Sequence, residues 1–193
     1  ELGKSNIISN DAREIKNRKF DGKVQLAVTS PPYINAFDYV RSLRLENAWL
    51  GYYGDTNIID VKRKQIGTET IYQKDYFKIE DTGIRKLDDI VKKISKIDKK
   101  RACIVQKYFF DMSKNMLEIK RLLKKNGHYV IVVGNSRIRE INVPTNELLL
   151  EIAKINGFSL ENMFSYVIKN RYLRIPRSGK GGLIKKDWII DLV

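Results

Sequence analysis

The residues best equipped for chemistry form one short run, Thr29-Ser30-Pro31-Pro32-Tyr33, directly after the apolar stretch Val24-Gln25-Leu26-Ala27-Val28. The run combines a hydroxyl, carbonyls without a competing backbone donor, and an aromatic ring. Each proline fixes φ at about −65° and removes an N–H, and Pro31 also biases Ser30 toward extended backbone. The loop is therefore stiff and rich in acceptors. If the Ser30 hydroxyl and the Pro31 carbonyl each accept one N–H of a planar amino group, the nitrogen is drawn toward tetrahedral geometry. Its lone pair, otherwise delocalised, can then be aimed at an electrophile. Tyr33 adds a face on which a heteroaromatic ring can stack. Taken alone, Pro-Pro after a strand also reads as a simple strand-ending turn.

The context is longer than the motif. The apolar strand, the complete Thr-Ser-Pro-Pro-Tyr, and the continuation Asn35, Asp38-Tyr39, Arg41, Leu45-Glu46 and Leu50-Gly51 together resemble the amino-group DNA methyltransferases. The Ser form is most similar to the branch that methylates N4 of cytosine. The resemblance implies an S-adenosylmethionine-dependent enzyme with Ser30, Pro31, Pro32 and Tyr33 as its catalytic loop. It also implies a base extruded from the duplex, because the target atom is otherwise stacked inside the helix. Related families use Asn-Pro-Pro-Tyr or Asp-Pro-Pro-Tyr on other planar amines, so adenine N6, a guanine amino group of RNA and a protein glutamine amide remain open. So does a nucleic-acid-binding remnant without catalysis.

Asn10-Asp11-Ala12 resembles the strand-ending Gly-Asp-Ala of the same family, where the acid lies near the cofactor's adenine. The resemblance implies a cofactor-binding role for Asn10, Asp11, Ala12 and Thr29. Asn-Asp is equally an ordinary turn or helix cap.

Composition points to the same partner. A chain of 193 residues can bury one substantial core, and its formal charge of +14 suits a polyanion such as DNA. A lysine-rich solvated surface would account for part of that charge. With one cysteine, Cys103, and one histidine, His128, neither a disulfide framework nor a zinc site is expected, and a reducing, cytoplasmic setting fits. There is no long apolar span and no signal-peptide pattern, which argues against insertion in a membrane or secretion.

The elements that would position the loop can be read in order. A short strand is expected around Ser5–Ser9, the strand Val24–Val28 before the loop, and a helix over 37–50 whose apolar face includes Phe37, Val40, Leu43, Leu45 and Trp49. The region 52–100 reads as a basic insertion that could recognise DNA, with Arg63 and Lys64 as phosphate contacts and a helix from Ile84 to Ile97. A solvated insertion is the alternative. An apolar stripe from Ile104 to Leu123 predicts a helix over 100–125 capped by Gly127. The run Tyr129–Gly134 predicts a buried parallel strand, and an amphipathic helix follows from Pro144 to Gly157. Strands at 164–168 and 188–193 close the chain, separated by a loop with Arg171, Arg174, Arg177 and Lys180. That loop is expected to clamp phosphate.

Alternating strands and helices predict an α/β sheet, and the resemblance implies the Rossmann-like methyltransferase fold. The Gly-rich turn that such enzymes use against the cofactor has no counterpart in the sequence. The chain is accordingly expected to be one partial methyltransferase domain over 1–193, the C-terminal half without the first two strands. A second polypeptide or an N-terminal segment would supply the Gly-rich half.

Overall fold

In the computed structural model, residues 3–34, 38–76, 79–169 and 184–193 are described. Four strands form the principal sheet: β1 (Val24–Thr29), β2 (Leu123–Gly134), β5 (Leu160–Val167) and β6 (Lys186–Leu192), in the order β1-β2-β6-β5. β1 and β2 are parallel, and β6 runs antiparallel to both β2 and β5. The architecture is the expected α/β class in Rossmann-like form, a parallel pair joined by a helical crossover with a later strand returned beside it.

The crossover contains α1 (Tyr39–Ser42), α2 (Arg44–Trp49), α3 (Ile58–Lys64), α4 (Arg85–Ser95) and α5 (Lys99–Leu122); α6 (Thr145–Ile155) lies between β2 and β5. Helix α5 carries the core. Its Ile104, Tyr108, Phe109, Met112 and Met116 are buried together with Ile131 and Val133 of β2, Ile190 of β6 and Leu148 of α6. β2 buries alternate residues from Tyr129 to Val133, as a strand covered by helices on one face must. The other face is thinly covered, with Leu26, Val28 and Phe164 exposed.

Several expectations change in the structure. No strand forms around Ser5–Ser9. The Ser9 hydroxyl donates to the Asp11 carbonyl at 2.9 Å and accepts from the Asp11 amide at 3.1 Å, so local side-chain bonds replace a ladder. Ile7 is 97% exposed. The helix expected over 37–50 is two short helices separated at Leu43, whose φ of −103° and ψ of 26° leave the helical region. That break turns Leu45 and Trp49 to solvent and leaves Val40 as the buried apolar residue of the pair. Phe37 lies outside the described residues.

Helix α5 stops at Leu122, earlier than expected, because the Gly22 and Lys23 amides bond the Arg121 and Leu122 carbonyls and satisfy its end. Gly127 lies inside β2 and is not a cap. A Cβ there would sit 2.9 Å from the carbonyl oxygens of both Val24 and Lys124, so glycine is what lets β1 approach. The hairpin of β3 (Ser136–Ile138) and β4 (Ile141–Val143) was not foreseen. Within the region 52–100, α4 buries Leu87, Ile90, Val91 and Ile94 against α5, and Ile66 and Ile71 pack against the same core.

Candidate active site

Ser30 follows β1 without interruption, at the end of the sheet where β2 finishes and β6 begins. Ser30 is exposed, Pro31 is buried, and Pro32 and Tyr33 are partly buried. An exposed serine thus adjoins a buried proline. Tyr33 folds back: its hydroxyl donates to Asp187 Oδ1 at 2.7 Å, and Tyr166 of β5 donates to Asp187 Oδ2 at 3.0 Å. Burial and the Asp187 carboxylate push the Tyr33 phenol far above its ordinary value, so Tyr33 is a neutral donor and not a base.

Asp187 pairs in register with Gly134, and the ring of Tyr33 lies against that glycine. A Cβ on Gly134 would sit 3.3 Å from Tyr33 Cε1 and 3.2 Å from Asp187 Oδ1, and would collide with Ile184. On the other side, a Cβ at Gly67 would lie 3.4 Å from both Pro32 Cβ and the Tyr33 carbonyl oxygen, and Gly67 takes a φ of +74°. Two glycines therefore bracket the loop.

The segment around α3 is fastened to the same place. Lys62 Nζ meets Asp38 Oδ2 at 2.6 Å, and the Arg13 guanidinium donates to the Lys64 carbonyl at 2.6 Å. Arg13 also engages Asp11 through both carboxylate oxygens at 2.8 to 2.9 Å, and Asp111 at 3.1 Å. The hydrogen bond from Arg13 holds the Asp11 carboxyl below the usual carboxylate range. The Ala12 carbonyl accepts from Asn115, while Asn10 is exposed. Asp11 is thus committed to an arginine, and Arg13 ties its turn to the end of α3 at Lys64.

Arg63 is also engaged internally. It pairs with Asp60 at 2.9 Å and stacks over Tyr72 at 3.9 Å from the ring centroid, whereas Lys64 is exposed. Arg171, Arg174, Arg177 and Lys180 lie outside the described residues. Their flanks are fixed by the bond from the Ile168 amide to the Lys185 carbonyl at 3.1 Å, at the same end of the sheet as Ser30. His128 faces Asp191 at 3.0 Å. Among the described residues, no group of three or more His, Cys, Asp or Glu could hold a metal, and no helix is long and apolar enough to cross a membrane.

Asp187 is the residue that sequence reasoning missed. Its signal was available: an acid after two lysines, directly before the apolar run Trp188-Ile189-Ile190, is a charge that must find donors.

No family model matches the chain. It is 28% identical over 171 residues to the Type II methyltransferase M.MvaI of Kocuria varians, covering 84% of this chain and 36% of that protein. It is 27% identical over 151 residues to the Type II methyltransferase M.AvaI of Nostoc sp., covering 70% and 31%. Among solved structures, the DNA modification methylase TTHA0409 of Thermus thermophilus, complexed with S-adenosyl-L-methionine, matches 94% of this chain and 52% of that one, at 18% identity and a TM-score of 0.48. Over most of its own length the chain is homologous to Type II methyltransferases, and it spans about a third of theirs.

Proposed function

We propose that this chain carries the target-binding loop of an S-adenosylmethionine-dependent DNA methyltransferase that modifies the exocyclic amino group of an extruded base, N4 of cytosine. The observation that carries the reading is an exposed Ser30 beside a buried Pro31 at the end of a parallel strand. A hydroxyl and a carbonyl fixed there can share the two N–H groups of a cytosine amine, while Tyr33 supplies an aromatic surface beside them.

The described residues fit this acceptor role better than they fit the cofactor. Thr29 stands next to Ser30, but the Asp11 carboxylate is engaged by Arg13 through both oxygens, and among the described residues no Gly-x-Gly turn lies beside it. S-adenosylmethionine would supply an electrophilic methyl group. A further stretch of polypeptide, in the same chain or another, would complete its pocket. The net charge of +14 supports DNA as the partner, with Lys64, Arg171, Arg174, Arg177 and Lys180 as phosphate contacts.

The test is nucleoside mass spectrometry on DNA from cells with the gene intact, deleted, or carrying Ser30→Ala. N4-methylcytosine is expected to disappear on deletion, and Ser30→Ala is expected to slow transfer by about 10²–10³-fold, the usual loss when one oriented hydrogen-bonding group is removed. DNA binding should change little, because Ser30 is exposed and uncharged. Loss of N6-methyladenine would correct the substrate. Unchanged nucleosides would overturn the reading.

A further inference from the structure

We infer that Asp187 is a positioning residue for Tyr33: it locks the orientation of the ring against which the extruded base stacks. The inference rests on the function proposed above and adds a residue to it.

Rigid prolines fix the backbone of Tyr33, yet its side chain still has two torsions, and a ring free to swing offers no defined surface to a base. Three contacts from three elements remove that freedom. The Tyr33 hydroxyl donates to Asp187 Oδ1 at 2.7 Å, which fixes the far end of the ring on β6. Tyr166 donates to the other oxygen at 3.0 Å from β5, which prevents the carboxylate itself from rotating. Gly134 of β2, in register with Asp187, leaves room for the ring edge where any side chain would intrude.

The pairing parity puts this cluster on the face of the sheet opposite the helices, since Tyr129, Ile131 and Val133 face the core and Gly134 and Asp187 do not share their side. On that thinly covered face Asp187 is nonetheless only 7% exposed. A carboxylate withdrawn from water needs donors, and charge-assisted O–H···O bonds from two phenols are the strong kind. A buried acid whose partners include the loop's aromatic residue is tied to that loop's geometry in a way that an apolar residue would not be. Tyr33 is also the wrong group to act chemically, being held as a neutral donor. Its contribution is where its ring stands, and Asp187 determines that.

The experiment is a double-mutant cycle with Tyr33→Phe and Asp187→Ala in the full protein with whatever polypeptide completes it, measured as single-turnover methyl transfer to a cytosine-containing duplex. Asp187→Ala is expected to lower the rate by about 10–100-fold, the scale of effect that small misplacements produce. In the Tyr33→Phe background the same change should cost no more than about twofold, because the hydroxyl it acts through is already gone. Equal losses in both backgrounds would overturn the inference, since a merely structural Asp187 would act without Tyr33.

A second measurement needs no activity. In protein labelled with 3-fluorotyrosine, the resonance lost in Tyr33→Phe identifies Tyr33. It should shift or narrow in Asp187→Ala; an unmoved resonance would sink the anchoring. If that resonance moves while the unaltered protein methylates nothing, the anchoring stands and the proposed function falls.

Discussion

Gly127→Ala offers a test of the close approach that brings β1, and with it Ser30, to β2. The register explains the crowding: Val24 pairs with Leu123 and Leu26 with His128, so β1 advances by two residues where β2 advances by five. The surplus on β2 is accommodated near Asn126, at a φ of 58°, and Gly127. An added methyl would sit 2.9 Å from the oxygens of Lys124 and Val24 and 3.2 Å from that of Gln25. All three are backbone atoms, so no side chain can swing away. Relief requires the strands to separate by several tenths of an ångström, which places the change among overpacking substitutions that cost about 1–3 kcal/mol. For a chain of this size each kcal/mol lowers Tm by roughly 2–4 °C, so a fall of about 4–8 °C is expected for the middle of that range. Thermal unfolding by circular dichroism measures it, and amide exchange should show faster opening across Val24–Thr29 than elsewhere. Gly157→Ala is the control. Gly157 has a φ of +80° with nothing within 4 Å, so that variant should suffer backbone strain near α6 and leave exchange in β1 unchanged. A Gly127→Ala protein melting within about 1 °C of the parent would refute the argument from carbonyl contact.

Other outcomes follow from the site. Arg13→Ala removes the partner of Asp11 and of the buried Asp111, which keeps Lys107 at 2.5 Å; a loss of about 2 kcal/mol is expected in urea unfolding. Because Arg13 lowers the Asp11 pKa in the folded state, its stabilisation is present above the ordinary value of 3.8 and lost as pH falls through the lower native value. Arg13→Ala should flatten that acid limb, and an unaltered pH profile would contradict the assignment. DNA affinity should fall steeply with salt, and Arg177→Ala should reduce the log–log slope by about one if that arginine meets a phosphate. Gly134→Ala is expected to lower both Tm and methyl transfer, since the methyl would collide with Ile184 and press on the Tyr33–Asp187 contact; a variant unchanged in both would contradict the close packing.

The main elements, and the loop that follows β1, were legible in the sequence for physical reasons. Val24–Thr29, α4, α5, α6 and β6 each carry a periodic apolar pattern long enough to dominate local preferences. The failures lie where pattern was short or where tertiary partners decide. Ile7-Ile8 looked like a strand, but Ser9 and Asp11 satisfy the backbone locally. The β3–β4 hairpin turns through Arg139 and Glu140 at φ of 50° and 65°, a left-handed pair that sequence normally marks with Asn or Gly. Here Arg139 is held by Asp98 at 2.6 Å from a distant helix cap, which no local rule could show. Asp187 was hidden for the same reason. Its meaning lies in Tyr33 and Tyr166, which only the folded sheet brings to it.

The separation between Tyr33 and its anchor also dictates when the site can exist. Their hydrogen bond spans 154 positions, so synthesis at about 5–20 residues per second leaves roughly 8–30 s between the emergence of the loop and that of Asp187. β2 can join β1 before then, but Gly134 has no β6 beside it and Tyr33 has nothing to hold. The nascent chain therefore presents its Ser-Pro-Pro-Tyr loop unbraced while the helical core gathers, and β6, made after β1 and β2, is the strand that braces it.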